Sequence, residues 1–370
     1  MLQTGAATRP APITVIIPAF NAAAFIAEAV AQVRAQTLPV AELLVVDDGS
    51  TDRTAELAAA AGARVICQAN AGPSAARNAG LRAATQPWVA FLDADDLWRA
   101  DKLERQWAAL ALCPEARAVA CDYDVVDAAG RTVRGASFRA ACGAAQRDGA
   151  AARQVGGEAQ QVSAEARRVG ADGVYFSRVT MHFFECFFPL PSTLMLRRDL
   201  IVARGAFDET LRLVADFECY LRLLAGGDLI VVALPLVSYR RHDGNCSRDQ
   251  LLMYRAMRDL RARVAARPTL YPAEAGATIE HWLTASALEV GRWLMDEARL
   301  AEARRCFAQA VRSGGGRRAA LLWLFSFGPA ALFRRAVRLK RAFVRRCLLT
   351  DELGFGPLGD TPKLFAREGN

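Results

Sequence analysis

Histidine is scarce, with three in 370 residues, and none of the nine cysteines forms a CxxC pair. That spacing offers no zinc site, and an odd, scattered cysteine set is no disulfide framework. A reducing compartment suits it. The first twelve residues, MLQTGAATRPAP, hold no apolar run, so no signal peptide is read. The 27 glycines keep no period, which excludes collagen. Apolar residues make up 53% and charged residues 23%, an ordinary globular balance that excludes a disordered chain. Acidic residues are nearly missing from one segment: residues 301–350 carry twelve Lys and Arg against one Glu. The formal net charge of +8 is therefore one basic segment on a nearly neutral body. Such a segment attracts phosphate, on nucleic acid or on lipid headgroups.

What is present begins with four short apolar runs, 13–18, 42–46, 63–67 and 88–92, rich in Val, Ile and Leu. Ala-rich stretches separate them. In 22–36, Phe25, Ile26, Val30 and Val33 keep helical spacing; Gly62 suits a helix C-cap and Pro73 a first helical turn. Continuous apolar strands alternating with helices predict a doubly wound α/β unit over the first 110 residues. Ligands of such sheets bind beyond the carboxyl ends of the strands. Residues 117–122 read as a fifth strand, and strand character returns near 192–197 and 229–240. Residues 130–172 are weakly patterned and read as a loop or a short helical insertion. Beyond Gln250 the pattern is helical, over 251–266, 274–298, 299–312 and 317–349. Residues 298–311 resemble one helix of a tetratricopeptide repeat, but no second copy follows at a fixed period.

The strand ends are acidic. The second run ends in Asp47-Asp48-Gly49-Ser50-Thr51-Asp52 and the fourth in Asp93-Ala94-Asp95-Asp96. Clustered carboxylates repel unless a cation or hydrogen-bond donors compensate. Mg²⁺ takes carboxylate oxygens and shares itself with substrate phosphates. Taken singly, Asp-Gly is also a turn signal and Asp52 a helix cap. The joint occurrence after two strands of one sheet is the more specific observation.

The residues VIIPAFN, VVDDGSTD, AGPSAARNAG and FLDADD, in this order, resemble family 2 glycosyltransferases, over roughly residues 13–247. The resemblance implies an α/β, Rossmann-like GT-A fold and a nucleotide-sugar donor. It implies a GT-A domain over 1–248, with a nucleotide-binding half of about 1–112 and an acceptor half of about 113–248. Residues 249–370 are then a helical C-terminal extension with a basic amphipathic segment.

Carried over residue by residue, the resemblance makes Asp48 the nucleoside-base contact and Asp47 the support of its turn. The backbone at Ala19 and Phe20 lines the base pocket. Asp95 becomes the ligand of Mg²⁺ or Mn²⁺, Asp93 sits near the ribose or the metal's waters, and Arg77 lies near the nucleotide. Asp216 aligns with the catalytic base; the Glu that commonly precedes it is Ala215 here. Glu218 is a weaker candidate. In YRRHDGNCS (239–247), Arg240 contacts phosphate and His242 ligates the metal or binds phosphate. Asp216 then takes the proton of an acceptor hydroxyl as it attacks the sugar C1, with inversion. The most expected donor is a UDP-sugar, and the acceptor a saccharide or lipid-linked glycan in cell-envelope polysaccharide synthesis. Phe183, Phe184, Phe187 and Phe188 read as core or acceptor pocket, and Trp98 as a donor-sugar contact or core.

The basic tail, residues 317–349, interleaves cations with apolar residues and suits an anionic membrane surface or a helix packed on the body. Its apolar part is interrupted by Gly328-Pro329. The expected location is cytoplasmic, peripheral on the inner face of the plasma membrane. No nucleic acid is expected, because no binding motif accompanies the charge. Two rivals remain: a nucleotidyltransferase acting on a sugar phosphate, which the lack of a Gly-rich loop after the first strand disfavours, and a noncatalytic membrane-associated scaffold.

Overall fold

The first apolar run becomes the centre of a sheet. Strand β1 (Ala11–Ala19) has Ile13, Val15, Ile16 and Ile17 fully buried, as a strand covered on both faces requires. The structure, a computed structural model, describes residues 10–135, 152–155, 158–161, 163–169, 172–179, 189–224, 227–245, 249–273, 275–313 and 316–327. They fall into two units, residues 1–245 with 269–272, and residues 246–268 with 273–370.

In the first unit β1 is followed by α1 (Ile26–Arg34), β2 (Val40–Asp47), α2 (Thr54–Ala60), β3 (Arg64–Cys67), α3 (Pro73–Ala83) and β4 (Trp88–Phe91). Then come β5 (Leu97–Trp98), α4 (Lys102–Ala111), β6 (Ala118–Val126), β7 (Thr132–Arg134), β8 (Ala152–Val155), β9 (Glu158–Gln161), β10 (Ser163–Val169) and β11 (Gly173–Val179). A 3₁₀ turn at Pro191–Thr193 leads to β12 (Met195–Arg197), α5 (Arg198–Ala203), α6 (Ala215–Leu223) and β13 (Leu229–Arg240).

Among the described residues one sheet runs β10-β11-β13-β6-β12-β4-β1-β2-β3, with β5 beside β13 and β7 beside β6. Strands β3, β2, β1 and β4 are parallel neighbours, while β12 enters antiparallel between β4 and β6. The chain moves outward from β1 to β3 and then returns to β4 on the other side of β1. That reversal is a switch point, where the strand ends splay and leave a crevice. The register puts Ala19 opposite Asp47 and Ile16 opposite Phe91, so the ends of β1, β2 and β4 share one edge.

Close packing explains a glycine. A Cβ on Gly80 of α3 would stand 2.4 Å from Ile16 Cγ2, so α3 can lie directly on β1 only with glycine there. In α1, Ile26, Val30 and Val33 are buried as their spacing predicts, while Phe25 is the half-buried N-cap. The segment 130–172 differs from the expected loop or helical insertion. Its described parts are strands β7 to β10, and β10 pairs antiparallel with β11 from Ser163↔Val179 to Val169↔Gly173. Its Ala- and Arg-rich composition favours helix, but strand propensity depends on the pairing partner more than on the residue.

The second unit is helical: α7 (Gln250–Ala266), α8 (Ala275–Asp296), α9 (Leu300–Arg312) and α10 (Gly316–Phe325). Gly291 lets α8 approach Phe307 of α9, since a Cβ there would fall 2.4 Å from Phe307 Cε1. An Arg261–Glu280 pair at 2.7 Å ties α7 to α8. Among the described residues no helix is long and apolar enough to cross a membrane. The basic residues 334–346 and the Phe183–Phe188 cluster lie outside the described residues.

Candidate active site

The turn after β2 is built around its acidic pair. The Asp47 carboxylate accepts the Ser50 amide at 3.4 Å. Asp48, buried, accepts from Gln68 Nε2 at 2.7 Å and from the amides of Ala71 at 3.0 Å and Gly72 at 2.7 Å. Gly49 at φ 76° passes so close to this loop that a Cβ would meet the Asn70 nitrogen at 2.8 Å. A carboxylate has about four lone-pair directions. Three on Asp48 are taken by the 68–72 loop, leaving one for the nucleoside base expected from the sequence. Asp48 is therefore first of all the tie that shapes the loop. The Ala19 carbonyl accepts the Asp48 amide at 2.8 Å, and Phe20 stands half exposed beside it. Asp52 bridges the turn to the loop after β1, accepting from the Thr54 and Ala23 amides at 3.0 and 3.1 Å.

The loop after β4 carries Asp93, Asp95 and Asp96 into three different surroundings. Asp93 accepts from Arg77 Nη2 at 2.5 Å. Asp95 Oδ2 faces His242 Nε2 at 2.8 Å and Asn245 Nδ2 at 3.2 Å. Asp96 is buried, accepting from the Ser192 hydroxyl at 2.6 Å and the Arg240 amide at 3.3 Å. Burial raises the pKa of Asp95, the Asp93 charge adds to the rise, and the His242 contact opposes it. Burial, with the charges of Asp95 and Asp93, pushes Asp96 well above the usual carboxylate range. Trp98, expected near donor sugar or core, is buried and donates its indole N–H to the Ser192 carbonyl at 2.8 Å. Its ring covers Lys102 Nζ at 3.9 Å, so it packs.

Helix α3 holds the far wall. Asn78 donates to the Phe207 carbonyl and to Glu209 Oε1, both at 2.8 Å, and accepts the Phe207 amide at 3.0 Å. These bonds dock the segment leading to α6. Val214, the residue before that helix, has φ 55°, a left-handed conformation that is costly for a β-branched side chain. Such strain concentrates at functional sites, and here it precedes Asp216 by two residues. Asp216 is half-buried, with its Oδ1 accepting the Phe217 amide at 2.8 Å. Burial raises its pKa, with the Arg77 charge opposing. For Arg77, burial works against the cation, and the charges of Asp93 and Asp216 more than offset it, raising its pKa. One buried guanidinium thus answers to both the acidic loop and Asp216. Glu218 is different: it grips Arg222 through two 2.6 Å bonds and accepts from the Tyr271 hydroxyl at 2.6 Å. Arg222 in turn holds the carbonyls of Arg204 and Ala206. Glu218 is a structural tie.

The end of β13 closes the other side. Arg240 Nη2 pairs with Glu28 at 2.8 Å, and its guanidinium lies over the Phe25 ring at 5.2 Å. In this arrangement the Arg240 head is held against α1. The His242 ring packs on Phe25 with centroids 5.0 Å apart. The Gly244 amide donates to His242 Nδ1 at 3.1 Å, so Nε2 carries the ring proton toward Asp95.

Asp95 is the residue that would hold a divalent cation. The 2.8 Å between Asp95 Oδ2 and His242 Nε2 is a hydrogen-bond distance, and a carboxylate oxygen is the ligand type that Mg²⁺ and Mn²⁺ take. Among the described residues no three His, Cys, Asp or Glu side chains form a metal cage. The remaining ligands would be water and substrate phosphate, the usual case for Mg²⁺. His242 joins such a set only if Nε2 gives up its proton and the Gly244 amide releases Nδ1, because a ligating imidazole normally donates through its other nitrogen.

The motifs singled out Asp93, Asp95, Asp216, Arg77 and His242. Ser192 and Asn245 were not singled out, because their importance lies in tertiary contacts; Asn245 stood only within the YRRHDGNCS turn.

Residues 14–147 match the family described as glycosyl transferase family 2. An uncharacterized glycosyltransferase of Nostoc sp. is 44% identical over 99 residues, covering 25% of this chain and 31% of that protein. The succinoglycan biosynthesis protein ExoO of Rhizobium meliloti is 39% identical over 126 residues, covering 33% of this chain and 36% of that protein. The matched stretches thus span about a third of each relative's length. The crystal structure of S. aureus TarS 1-349 in complex with UDP has a TM-score of 0.52 at 17% identity, covering 88% of this chain and 91% of that one. The same TarS segment in complex with UDP-GlcNAc also gives 0.52 at 17% identity, covering 84% of this chain and 83% of that one. At such identity the likeness concerns the fold. The chain carries a glycosyltransferase family 2 region on a GT-A fold with a helical C-terminal part.

Proposed function

We propose that the chain is a metal-dependent, inverting glycosyltransferase that moves a sugar from a UDP-sugar to a hydroxyl of a saccharide or lipid-linked glycan. The observation that carries this reading is the buried Arg77, hydrogen-bonded to Asp93 and electrostatically coupled to Asp216. A donor-side acidic loop and a half-buried carboxylate of raised pKa then act on one guanidinium. TarS, of the same fold, forms complexes with UDP and UDP-GlcNAc, and ExoO is a succinoglycan biosynthesis protein. Both support the choice of donor and of a cell-envelope polysaccharide pathway.

Asp216 accepts the proton of the acceptor hydroxyl while that oxygen attacks C1 of the sugar. The bond from C1 to the diphosphate breaks on the opposite face, which inverts the anomeric centre. Asp95 would hold the divalent cation, which when bound would supply Lewis-acid stabilisation of the departing diphosphate. The Arg77 charge favours the ionised, basic form of Asp216 against the effect of burial and holds Asp93 by a hydrogen bond. Ala19, Phe20, Asp47 and Asp48 shape the nucleoside pocket. No observation favours the nucleotidyltransferase alternative.

Thermal shifts with UDP-, GDP-, dTDP- and CDP-sugars, with and without Mn²⁺, test this reading. A ligand that binds the native state raises its apparent stability by mass action. The expected result is a Mn²⁺-dependent rise with UDP-sugars; no rise with any of the four contradicts it.

The reading extends to the membrane. In α10 and the turn after it, Leu321, Leu324 and Phe327 are 54%, 59% and 57% exposed, just ahead of the basic residues 334–346. Apolar and basic side chains together suit an anionic lipid surface, where a lipid-linked acceptor resides. Co-sedimentation with vesicles containing phosphatidylglycerol is expected to fall sharply when residues 317–370 are removed. Unchanged co-sedimentation refutes this part of the reading.

A further inference from the structure

Two segments that are far apart in the chain meet at one buried hydroxyl, and a third joins them through Asp96. The Ser192 Oγ accepts the Asp93 amide at 3.0 Å and donates to Asp96 Oδ2 at 2.6 Å. The Ser192 carbonyl accepts the Trp98 indole N–H at 2.8 Å. The 3₁₀ turn at Pro191–Thr193 therefore grips the acidic loop at its first residue, its fourth and the strand that follows. Ser192 is 0% exposed and Asp96 2%, so water cannot replace either partner. The other oxygen of Asp96 accepts the Arg240 amide at 3.3 Å, and the Arg240 carbonyl accepts from Asn245 Nδ2 at 3.2 Å. Asn245 also reaches Asp95, and its Oδ1 accepts the His242 amide at 2.5 Å.

From these contacts we infer that Ser192 is a positioning residue for the nucleotide–metal site: through Asp96 and the Asp93 amide it sets where Asp95 stands relative to Asp93 and the 240–245 turn. This inference rests on the metal-assisted reading of Asp95 given above. Ser192 touches neither donor nor cation. It fixes the backbone of the loop at Asp93, while Asp96 carries the constraint to the segment bearing His242 and Asn245. Without Oγ, the Asp93 amide loses its acceptor and Asp96 Oδ2 its donor, both inside a buried network where an unmatched group is disfavoured. The loop can then answer by moving, and Asp95 moves with it. The same turn precedes β12, which lies between β4 and β6. Ser192 is thus where the strand inserted beside β4 controls the acidic loop at β4's own end.

Calorimetric titration of Mn²⁺ into the full chain with saturating UDP, and of UDP in EDTA, tests the assignment. S192A is expected to weaken Mn²⁺ binding about 10–100-fold, as loss of a supporting partner around a metal ligand typically does. UDP affinity in EDTA is expected to change little. S192T keeps the hydroxyl and is expected to recover most of the Mn²⁺ affinity. W98F keeps Oγ but removes the indole donor; its expected loss is smaller and in the same direction, and it carries the test where S192A does not fold. Wild-type Mn²⁺ affinity in folded S192A overturns the inference, as does an equal loss of UDP affinity with and without Mn²⁺. Wild-type protein that binds UDP identically in Mn²⁺ and EDTA removes the metal-assisted reading itself, and the inference with it.

Discussion

Asp216→Asn lowers kcat by about 10²- to 10⁴-fold, the usual contribution of a positioned general base, while nucleotide-sugar affinity stays at the wild-type level. The asparagine oxygen can still accept the Phe217 amide that Asp216 holds at 2.8 Å, so the start of α6 keeps its geometry. Arg77 keeps Asp93 as its hydrogen-bond partner. What the substitution removes is the group that takes a proton. The pH dependence gives a second handle. Burial raises the Asp216 pKa, with Arg77 opposing, and a base works only when ionised. Activity of the wild type therefore falls as pH drops through a value above the ordinary carboxylate range, and is full above it. The measurement is UDP release against pH, using the UDP-sugar selected by the thermal-shift panel. An Asp216→Asn enzyme with unchanged kcat, or a wild-type acid limb at the ordinary carboxylate value, contradicts the assignment.

Asp95→Asn has the second large effect, and it falls on a different step. The substitution keeps the size of the side chain and a hydrogen-bond acceptor, but replaces a charged oxygen ligand by a neutral one. Hard divalent cations prefer carboxylate oxygen. Loss of Mn²⁺-dependent nucleotide affinity is expected to be about 10²-fold or more, at least that of removing an outer partner. A loss of kcat/KM of about 10²–10³-fold should accompany it, the range for removing one electrostatic stabiliser of developing charge. The rise with pH seen in the wild type should persist in the residual activity, because Asp216 is untouched. Asp95→Asn protein with wild-type Mn²⁺ dependence places the cation elsewhere.

The parts of the molecule that could be read from its sequence are those whose signal is local. Val15 to Ile17, Leu44 to Val46 and Val89 to Leu92 are continuous apolar runs, and each forms or closes a buried strand. Val30 and Val33 face the core because their helical spacing allows nothing else. The acidic loops could be located because a parallel strand delivers its last residue to a shared edge. What could not be read depends on partners distant in sequence. Ser192 is separated from Asp96 by 96 residues, and Asp95 from Asn245 by 150. Arg77 read as lying near the nucleotide because the family resemblance puts it there. Its burial against Asp93 and over the Phe207 ring at 5.5 Å follows from where α3 lies. Arg240 likewise meets Glu28 across 212 residues. Segment 130–172 misled by composition, since the pairing of β10 with β11 supplies what its residues alone do not. The left-handed Val214 has no sequence signal at all; only the backbone reveals it.

Calorimetric titration of the selected UDP-sugar into wild type, Asp95→Asn and Asp216→Asn, each in Mn²⁺ and in EDTA, separates binding from chemistry in one experiment. The expected result is equal, Mn²⁺-dependent affinity for wild type and Asp216→Asn, with weak binding by Asp95→Asn in either buffer. Equal affinity of all three proteins in both buffers would contradict a metal-assisted donor site at Asp95.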